Sequence, residues 1–138
     1  MLQHDDDVSP TIDSSQSNGS SEYATQTRDT PDLKIVALNQ DCNIRMLQQG
    51  FDYIHLDPFG STVQYLDAAF KNVRHGGLIV LTSTDTGSLF GKVPSVCKRN
   101  YDAFVMKTEY FRELAARMVI AAAAKAAAKC NKGFQVSL

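Results

Sequence analysis

The residues of this chain best suited to chemistry are Asp57, Pro58, Phe59 and Gly60, which directly follow the apolar run 51–56. A short apolar run of this kind predicts a β-strand. A strand that ends at an acidic residue followed by proline and an aromatic residue can present two hydrogen-bond acceptors, a carboxylate and a backbone carbonyl, to an amine. The pattern therefore predicts an amine-binding corner, although Asp-Pro-x-Gly also forms ordinary turns.

Two further acidic residues have a similar position in the chain. Asp41 follows the apolar run 33–38, and Asp85 follows the apolar run 78–82. In open α/β sheets, ligands bind beyond the carboxyl ends of the strands, so acids at these positions can line a site. The alternatives are local: Asp41 can cap a helix over 42–48, and Asp85 can hold its own loop through bonds to nearby backbone groups.

The elements that must position these residues alternate between strands and helices. Strands are predicted at 33–38, 52–56, 78–82, 103–107 and 134–138. Helices are predicted at 44–48, from Ser61 or Thr62 to Gly76 and Gly77, at 92–100, and at 109–129, which is rich in alanine. Such alternation predicts an α/β fold with a mostly parallel, doubly wound sheet.

The first 32 residues differ in composition from the rest. They are rich in Asp, Ser, Thr, Gln, Asn and Gly and have few large aliphatic side chains, so we predict that 1–32 are disordered and that 33–138 are folded. Seven acidic residues against one arginine give 1–32 a net charge of −6. Residues 33–138 contain 13 Lys and Arg against 8 acidic residues, a net charge of +5. A basic body suits a polyanionic partner.

Several classes of protein are disfavoured by the sequence. The first residues have neither the basic nor the apolar region of a signal peptide, and the apolar run 118–128 contains Lys125 and is too short to span a bilayer. Three widely spaced cysteines and three histidines form no metal-ligand pattern, so we predict no metal site and reduced intracellular thiols.

Longer stretches resemble the tRNA guanine-N2 dimethyltransferase family, and in particular its animal tRNA methyltransferase 1-like branch. The similar segments are FDYIHLDPFGSTVQYLDAAFKNVRHGG (51–77), LIVLTSTDTGSLFGK (78–92), KTEYFRELAARMV (107–119) and AAAKCNKGFQV (126–136), with the weaker IVALNQDCN (35–43). The resemblance implies a class I, Rossmann-like methyltransferase fold and S-adenosylmethionine as cofactor. It also implies methylation of the exocyclic amine of a guanine in tRNA, and residence in the nucleus or nucleolus.

The resemblance also implies roles for the residues of the corner. The Asp57 carboxylate and the Pro58 carbonyl would accept hydrogen bonds from the guanine amine, and Asp57 could take up the proton as a general base. Phe59 would stack on an extruded base, and Gly60 would allow close approach of the backbone. The alternative for Asp57 is a capping acid on a turn.

Other positions receive roles from the same resemblance. Asp41 would accept a bond from the adenine amino group of the cofactor, and the backbone N–H of Cys42 would donate to the adenine ring. Asp85 would either line the guanine pocket or hold the loop 82–86. RNA phosphates would contact the basic residues Lys92, Lys98, Arg99 and Lys107.

The family pattern begins with a strand and a Gly-rich loop for the cofactor, and 1–32 contain neither. We therefore predict that the chain is the second half of a catalytic domain and a truncated form of the enzyme. The alternative is a catalytically incompetent tRNA-binding or regulatory fragment. A weaker alternative is methylation of another amine, such as a protein glutamine or a DNA adenine. The sequence does not define the tRNA species, the guanine, the number of methyl groups or the oligomeric state.

Overall fold

A computed structural model describes residues 23–26, as backbone, and 34–137. The chain divides into two units, 1–39 and 40–138. In the first unit, strand β1 (Tyr23–Gln26) pairs antiparallel with strand β2 (Lys34–Ala37), in the register Tyr23↔Ala37 to Gln26↔Lys34. Within 1–32, where the sequence predicts disorder, the structure describes only Tyr23–Gln26, which form β1. The rest of 1–32 lies outside the described residues, so disorder there stays a prediction.

The strand predicted at 33–38 is present as β2, but its pairing differs from the prediction. We expected it in a mostly parallel sheet, whereas its neighbour is β1, in a two-stranded antiparallel sheet. A strand close in sequence can pair at a small cost in loop-closure entropy, and sequence patterns do not encode such a partner.

The second unit contains one parallel strand pair and five helices among its described residues. In chain order they are α1 (Cys42–Gln48), β3 (Phe51–Leu56), α2 (Val63–Asn72), β4 (Val73–Leu81), α3 (Thr86–Leu89), α4 (Pro94–Tyr101) and α5 (Phe111–Lys129). Strands β3 and β4 pair in parallel from Tyr53↔Leu78 to Leu56↔Leu81, with an irregular register on the Phe51 side. The helix α2 between them makes the βαβ unit that the sequence predicts.

The sequence predicts that Gly76 and Gly77 end α2, but they do not. The helix ends at Asn72, and both glycines lie within β4. A Cβ atom at Gly77 would lie 2.8 Å from Val73 Cγ2 and 2.9 Å from the Asp52 carbonyl oxygen. Glycine is therefore needed here because β4 passes very close to β3, and not because a helix terminates.

Two further predicted strands are not formed. Residues 103–107 show the alternation of a strand, because Val105 is buried while Phe104 and Met106 are exposed, yet no described strand pairs with them. Residues 134–137 are neither helix nor strand, and residue 138 lies outside the described part. At 103–107 the side chains alternate as in a strand, but a strand also needs a neighbour for its backbone hydrogen bonds.

Three apolar clusters hold the second unit together. One lies between α1, α2 and β3, and another joins α3 and α4 to the first half of α5. In the third cluster, Leu66 and Phe70 of α2 contact the small buried side chains of α5, namely Ala123, Ala126 and Ala127. Alanine lets the two helices approach closely, so the alanine-rich composition of α5 serves packing. No helix among the described residues is long and apolar enough to cross a membrane.

Lys132, just beyond α5, ties the chain to the end of α2. Its Nζ donates to the carbonyl oxygens of Phe70 at 2.6 Å, Val73 at 2.7 Å and Lys71 at 3.3 Å. The last carbonyls of a helix have no partner within the helix, and a cation there also complements the helix dipole. Lys132 thus caps a neighbouring helix.

Candidate active site

The candidate corner begins where the parallel pair ends. Thr82 N donates to Leu56 O at 2.9 Å, so pairing of the two strands continues up to the residue before Asp57. The side chains of Asp57 and Phe59 are exposed, and Phe59 has a relative exposure of 110%. The corner therefore projects a carboxylate and a phenyl ring into solvent from a fixed strand end.

Two backbone-directed hydrogen bonds join the corner to the loop after β4. Gly60 N donates to Thr84 Oγ1, and Thr84 N donates to Gly60 O, both at 2.9 Å. Gly60 has φ 119°, a region that side-chain-bearing residues rarely adopt. The glycine at this position therefore allows the chain to turn into the bonds with Thr84.

A buried hydroxyl pair strengthens the same connection. Thr62 is fully buried, and its Oγ1 lies 2.8 Å from Ser83 Oγ. Thr62 precedes the first turn of α2, so this bond anchors the start of the helix to the loop 82–86. The loop, which contains the TSTDT sequence, is thus attached to both sides of the Gly60 turn.

A directed chain of hydrogen bonds reaches the corner from α4. Tyr101 Oη donates to the Asp85 carboxylate, at 2.9 Å from each oxygen. Because a tyrosine has one hydroxyl proton, the contact of 3.0 Å between Ser61 Oγ and Tyr101 Oη must be a donation by the serine. Ser61 Oγ in turn accepts from Val63 N at 3.3 Å.

Tyr101 is the residue that sequence reasoning missed. Its side chain is buried, and burial, together with Asp85, raises the pKa of Tyr101 to about 12. The aromatic residue at the end of the predicted basic helix was the available signal. Nothing in the sequence showed that Asp85 and Ser61 would lie within reach of it.

Asp85 has the local role that the sequence left open. Besides the bond from Tyr101, its Oδ2 accepts from Ser88 Oγ at 2.7 Å, and its backbone carbonyl accepts from the same hydroxyl at 2.9 Å. These contacts fix the loop after β4 to α3 and α4. The side chain is engaged by the protein itself, which argues against a direct role in base binding.

Asp41 and Cys42 lie at the start of α1 and are not members of this network. Asp41 is the N-cap of the helix, and its Oδ1 accepts from Asn43 N at 2.7 Å and Ile44 N at 3.3 Å. Cys42 is exposed, and partial desolvation followed by the Asp41 charge raises the pKa of its thiol. The capping alternative for Asp41 is therefore realised, while its Oδ2 is not used by the cap.

The four basic residues predicted to bind RNA are all exposed, but their environments differ. Lys98 forms an ion pair with Asp102, and its Nζ lies 5.7 Å from the centre of the Phe104 ring. Arg99 instead lines an open cleft of about 440 Å³ beside the corner. Lys92 and Lys107 lie in the loops before and after α4. Helix α4 therefore directs two adjacent basic residues to different surroundings.

Within the described residues, no group of three or more His, Cys, Asp or Glu side chains is arranged to hold a metal ion. The polar groups around the corner are hydroxyls, carboxylates and backbone amides. Such groups can orient an amine and accept its proton.

The fold is that of part of a class I methyltransferase. A solved structure, the complex of Trm1 from Pyrococcus horikoshii with S-adenosyl-L-methionine, superposes with a TM-score of 0.69 at 30% sequence identity over 78% of this chain. The profile of the family described as "TRM: N2,N2-dimethylguanosine tRNA methyltransferase" matches residues 6–138. The chain belongs to this family, which confirms the assignment made from the sequence motifs.

Relatives with assigned activities support the same conclusion. A Mus musculus tRNA (guanine(27)-N(2))-dimethyltransferase is 52% identical over 102 residues, and a Thermococcus kodakarensis tRNA (guanine(26)-N(2))-dimethyltransferase is 36% identical over 108 residues. These matches cover 74% and 76% of this chain. The chain spans 14% of the mouse relative, 29% of the archaeal relative and 30% of the solved Trm1 chain.

Proposed function

We propose that this chain supplies the amine-binding half of an active site that transfers a methyl group from S-adenosylmethionine to the N2 amine of a guanine in tRNA. The observation that carries the proposal is the corner 57–60. It presents an exposed carboxylate and an exposed phenyl ring, while Gly60 is bonded in both directions to Thr84. Family membership supports the choice of guanine N2 as the amine.

The exocyclic amine of guanine is a poor nucleophile because its lone pair is delocalised into the ring. Hydrogen bonds from the amine to Asp57 and to the Pro58 carbonyl would favour a pyramidal nitrogen whose lone pair points at the methyl donor. After transfer, the nitrogen carries an extra proton, and the Asp57 carboxylate would accept it as a general base. Accurate positioning contributes most to such a reaction, so a rigid corner is an advantage.

Phe59 would provide the surface on which the target base stacks. A base inside a folded RNA has to leave its stack before an enzyme can reach its amine, and an aromatic side chain replaces part of the lost stacking. An exposed phenyl ring is unfavourable in water, and covering it with a base would recover apolar contact. Its relative exposure of 110% leaves the ring open for that contact.

The residues at the start of α1 fit the adenine part of the cofactor. The Asp41 cap uses Oδ1, so Oδ2 can accept a bond from the adenine amino group. The backbone N–H of Cys42 belongs to the first helical turn, where amides have no acceptor within the helix, and it can donate to the ring. The bound cofactor supplies the electrophilic methyl group.

The tRNA partner is supported by family membership and by the positive charge around α4. Lys92, Arg99 and Lys107 are exposed, and cations of this kind bind phosphates in a salt-dependent manner, whereas the exposed Lys98 is paired with Asp102. Methyl transfer from labelled S-adenosylmethionine to an unmodified tRNA transcript with guanines at positions 26 and 27 tests the proposal. Asp57→Asn should reduce the rate by at least about a hundredfold, the scale of general acid–base catalysis.

The matched control is Asp67→Asn, which removes an exposed carboxylate that pairs with Lys129 at 3.0 Å. Its rate should equal that of the wild type. An unaltered rate for Asp57→Asn would refute the catalytic role of the corner. If this chain binds the transcript, but binds no S-adenosylmethionine and transfers no methyl group to the transcript, the alternative of a tRNA-binding fragment is the correct one.

Cofactor binding is tested separately by calorimetry with Asp41→Asn. Asparagine caps helices about as well as aspartate, so α1 should remain intact. An amide can keep one oxygen for the cap but replaces the second acceptor with a donor. We therefore expect weaker binding of S-adenosylmethionine without loss of helix, and equal affinities would exclude the adenine contact.

A further inference from the structure

The cleft next to the corner has a composition suited to a particular part of the RNA. It lies between the start of α2 and the end of α4, and its volume is about 440 Å³. The lining residues are Ser61, Val63, Gln64, Arg99 and Asn100. Gln64, Arg99 and Asn100 carry hydrogen-bond donors, Arg99 is cationic, and none of the five lining residues is acidic.

We propose that this cleft binds a phosphodiester group of the RNA strand that carries the target guanine, with Arg99 as its ionic contact. The inference rests on the proposed function, because it assumes an RNA whose guanine lies at the corner. The arginine fork matches two phosphate oxygens, and the amides of Gln64 and Asn100 can add neutral donors.

The position of the cleft relative to the corner supports RNA as the source of the phosphate. Ser61 follows Gly60 directly, and the four Cα-to-Cα steps from Asp57 to Ser61 span at most roughly 14 Å. One RNA strand can therefore contact the corner with its base and the cleft with its backbone. Contacts to the phosphates fix the register and orientation of the RNA on the protein without reading its sequence. A corner that is fixed in the protein requires an RNA held in this way.

Neighbouring charges distinguish Arg99 from Lys98. The Lys98 ammonium is bonded to Asp102, and this bond and charge lower the pKa of the Asp102 carboxyl. Lys125 lies 3.6 Å from the same carboxylate. The Nε of Arg99 makes a long contact of 3.5 Å to the amide oxygen of its neighbour Asn100. This acceptor is uncharged, and the contact leaves the two terminal nitrogens of Arg99 for a ligand. The two adjacent residues should therefore contribute very differently to RNA binding.

The test measures binding of the fluorescein-labelled tRNA transcript to the 138-residue chain, by anisotropy, at several salt concentrations. Each phosphate contact contributes roughly 0.7 to 0.9 to the slope of log affinity against log salt. Arg99→Ala should lower this slope by about that amount and weaken binding about tenfold at low salt. Lys98→Ala, which removes the same charge from the same turn, should leave the slope unchanged.

A third variant separates charge from geometry. Arg99→Lys keeps the charge but loses the fork, so it should restore the slope while recovering affinity in part. Arg99 is exposed, and circular dichroism should show the same fold in all variants. Equal slopes for Arg99→Ala and Lys98→Ala, or a wild type without salt-dependent binding, would overturn the inference. Normal methyl transfer together with an unaltered Arg99→Ala slope would overturn it while leaving the proposed function intact.

Discussion

The hydroxyl of Tyr101 provides a sharp test of how the corner is held. Tyr101→Phe removes one oxygen atom and leaves the buried ring in place, so the packing of α4 should be retained. The change deletes the donor to the Asp85 carboxylate and the acceptor of the Ser61 hydroxyl. Asp85 keeps the bond from Ser88 at 2.7 Å, and therefore does not become an unpaired buried charge.

The size of the effect follows from these contacts. A hydrogen bond to a charged group contributes about 1.5 to 3 kcal/mol, and a phenylalanine at this position no longer has to desolvate a hydroxyl. The lost hydrogen bond destabilises the variant and the avoided desolvation stabilises it, so we expect the free energy of unfolding to fall by about 1 to 2 kcal/mol. With a typical urea dependence for a small domain, the midpoint should move by about 1 M.

Urea unfolding of the wild type, Tyr101→Phe and Tyr110→Phe at pH 8 measures the difference. Tyr110 is 68% exposed, and loss of its hydroxyl should change the free energy of unfolding by less than about 0.5 kcal/mol. If Tyr101→Phe unfolds at the wild-type midpoint, the hydrogen-bonded chain from α4 to the corner does not stabilise the protein, and our reasoning about the corner is wrong.

The raised pKa of Tyr101 predicts how this difference depends on pH. The folded state holds the tyrosine proton up to a pKa of about 12, against an ordinary value of 10.0 in the unfolded chain. The contribution is therefore complete below pH 10 and is lost as the pH rises to 12, by about 2 to 3 kcal/mol in total. Because this loss exceeds the deficit of Tyr101→Phe at pH 8, the deficit should vanish and then change sign over this interval, and a constant deficit would exclude the shift.

Two further substitutions and one labelling experiment test separate parts of the structure. Lys132→Met should lower the free energy of unfolding by about 1.5 to 3 kcal/mol, because the α2 carbonyls lose a charged donor, while Lys125→Met should not shift the urea midpoint. Gly60→Ala should cost about 1 to 3 kcal/mol because of its φ of 119°, whereas Gly133→Ala, at an open position without positive φ, should be neutral. A thiol reagent should label the exposed Cys42 in the folded protein before the buried Cys97, and equal rates would contradict the packing around α4.

Much of the second unit could be predicted from local patterns. The apolar runs at 52–56 and 78–82 are the paired parts of β3 and β4, and the spacing of Leu66, Ala69 and Phe70 predicts the body of α2, although not its end. The alanine-rich segment forms α5 with its small side chains buried. These elements are specified by periodicity, which depends on residues within a few positions of one another.

The failures concern features that depend on a partner. The runs 33–38 and 103–107 have similar strand character, yet one pairs with β1 and the other pairs with no described strand. The role of Gly77 also depends on a neighbouring strand, since the atoms that exclude a side chain there include the carbonyl oxygen of Asp52 in β3. Non-local pairing of this kind has no local signature, so sequence patterns identify candidate strands better than they identify sheets.

The candidate site divides in the same way. The carboxylate of Asp57 and the ring of Phe59 could be predicted because the motif itself contains the functional groups. The hydrogen bonds that hold the corner could not be predicted, because Thr84 is 24 positions from its partner Gly60 and Tyr101 is 40 positions from its partner Ser61. Resemblance to a family thus suggests which groups would react, and the structure adds the groups that hold the corner in place.

The arrangement separates the residues that hold the corner from those that would act at it. Gly60 and Ser61 are bonded to the loop after β4 and to α4, whereas the side chains of Asp57 and Phe59 extend into solvent. A site that must position an amine benefits when its backbone is fixed before the substrate arrives, since little ordering then remains to oppose binding. It follows that Asp57→Asn should slow methyl transfer by at least about a hundredfold without changing the urea midpoint, whereas Tyr101→Phe should change both. A destabilised Asp57→Asn would show that the carboxylate serves the turn itself, as in the capping alternative, and the division between supporting and acting residues would then fail.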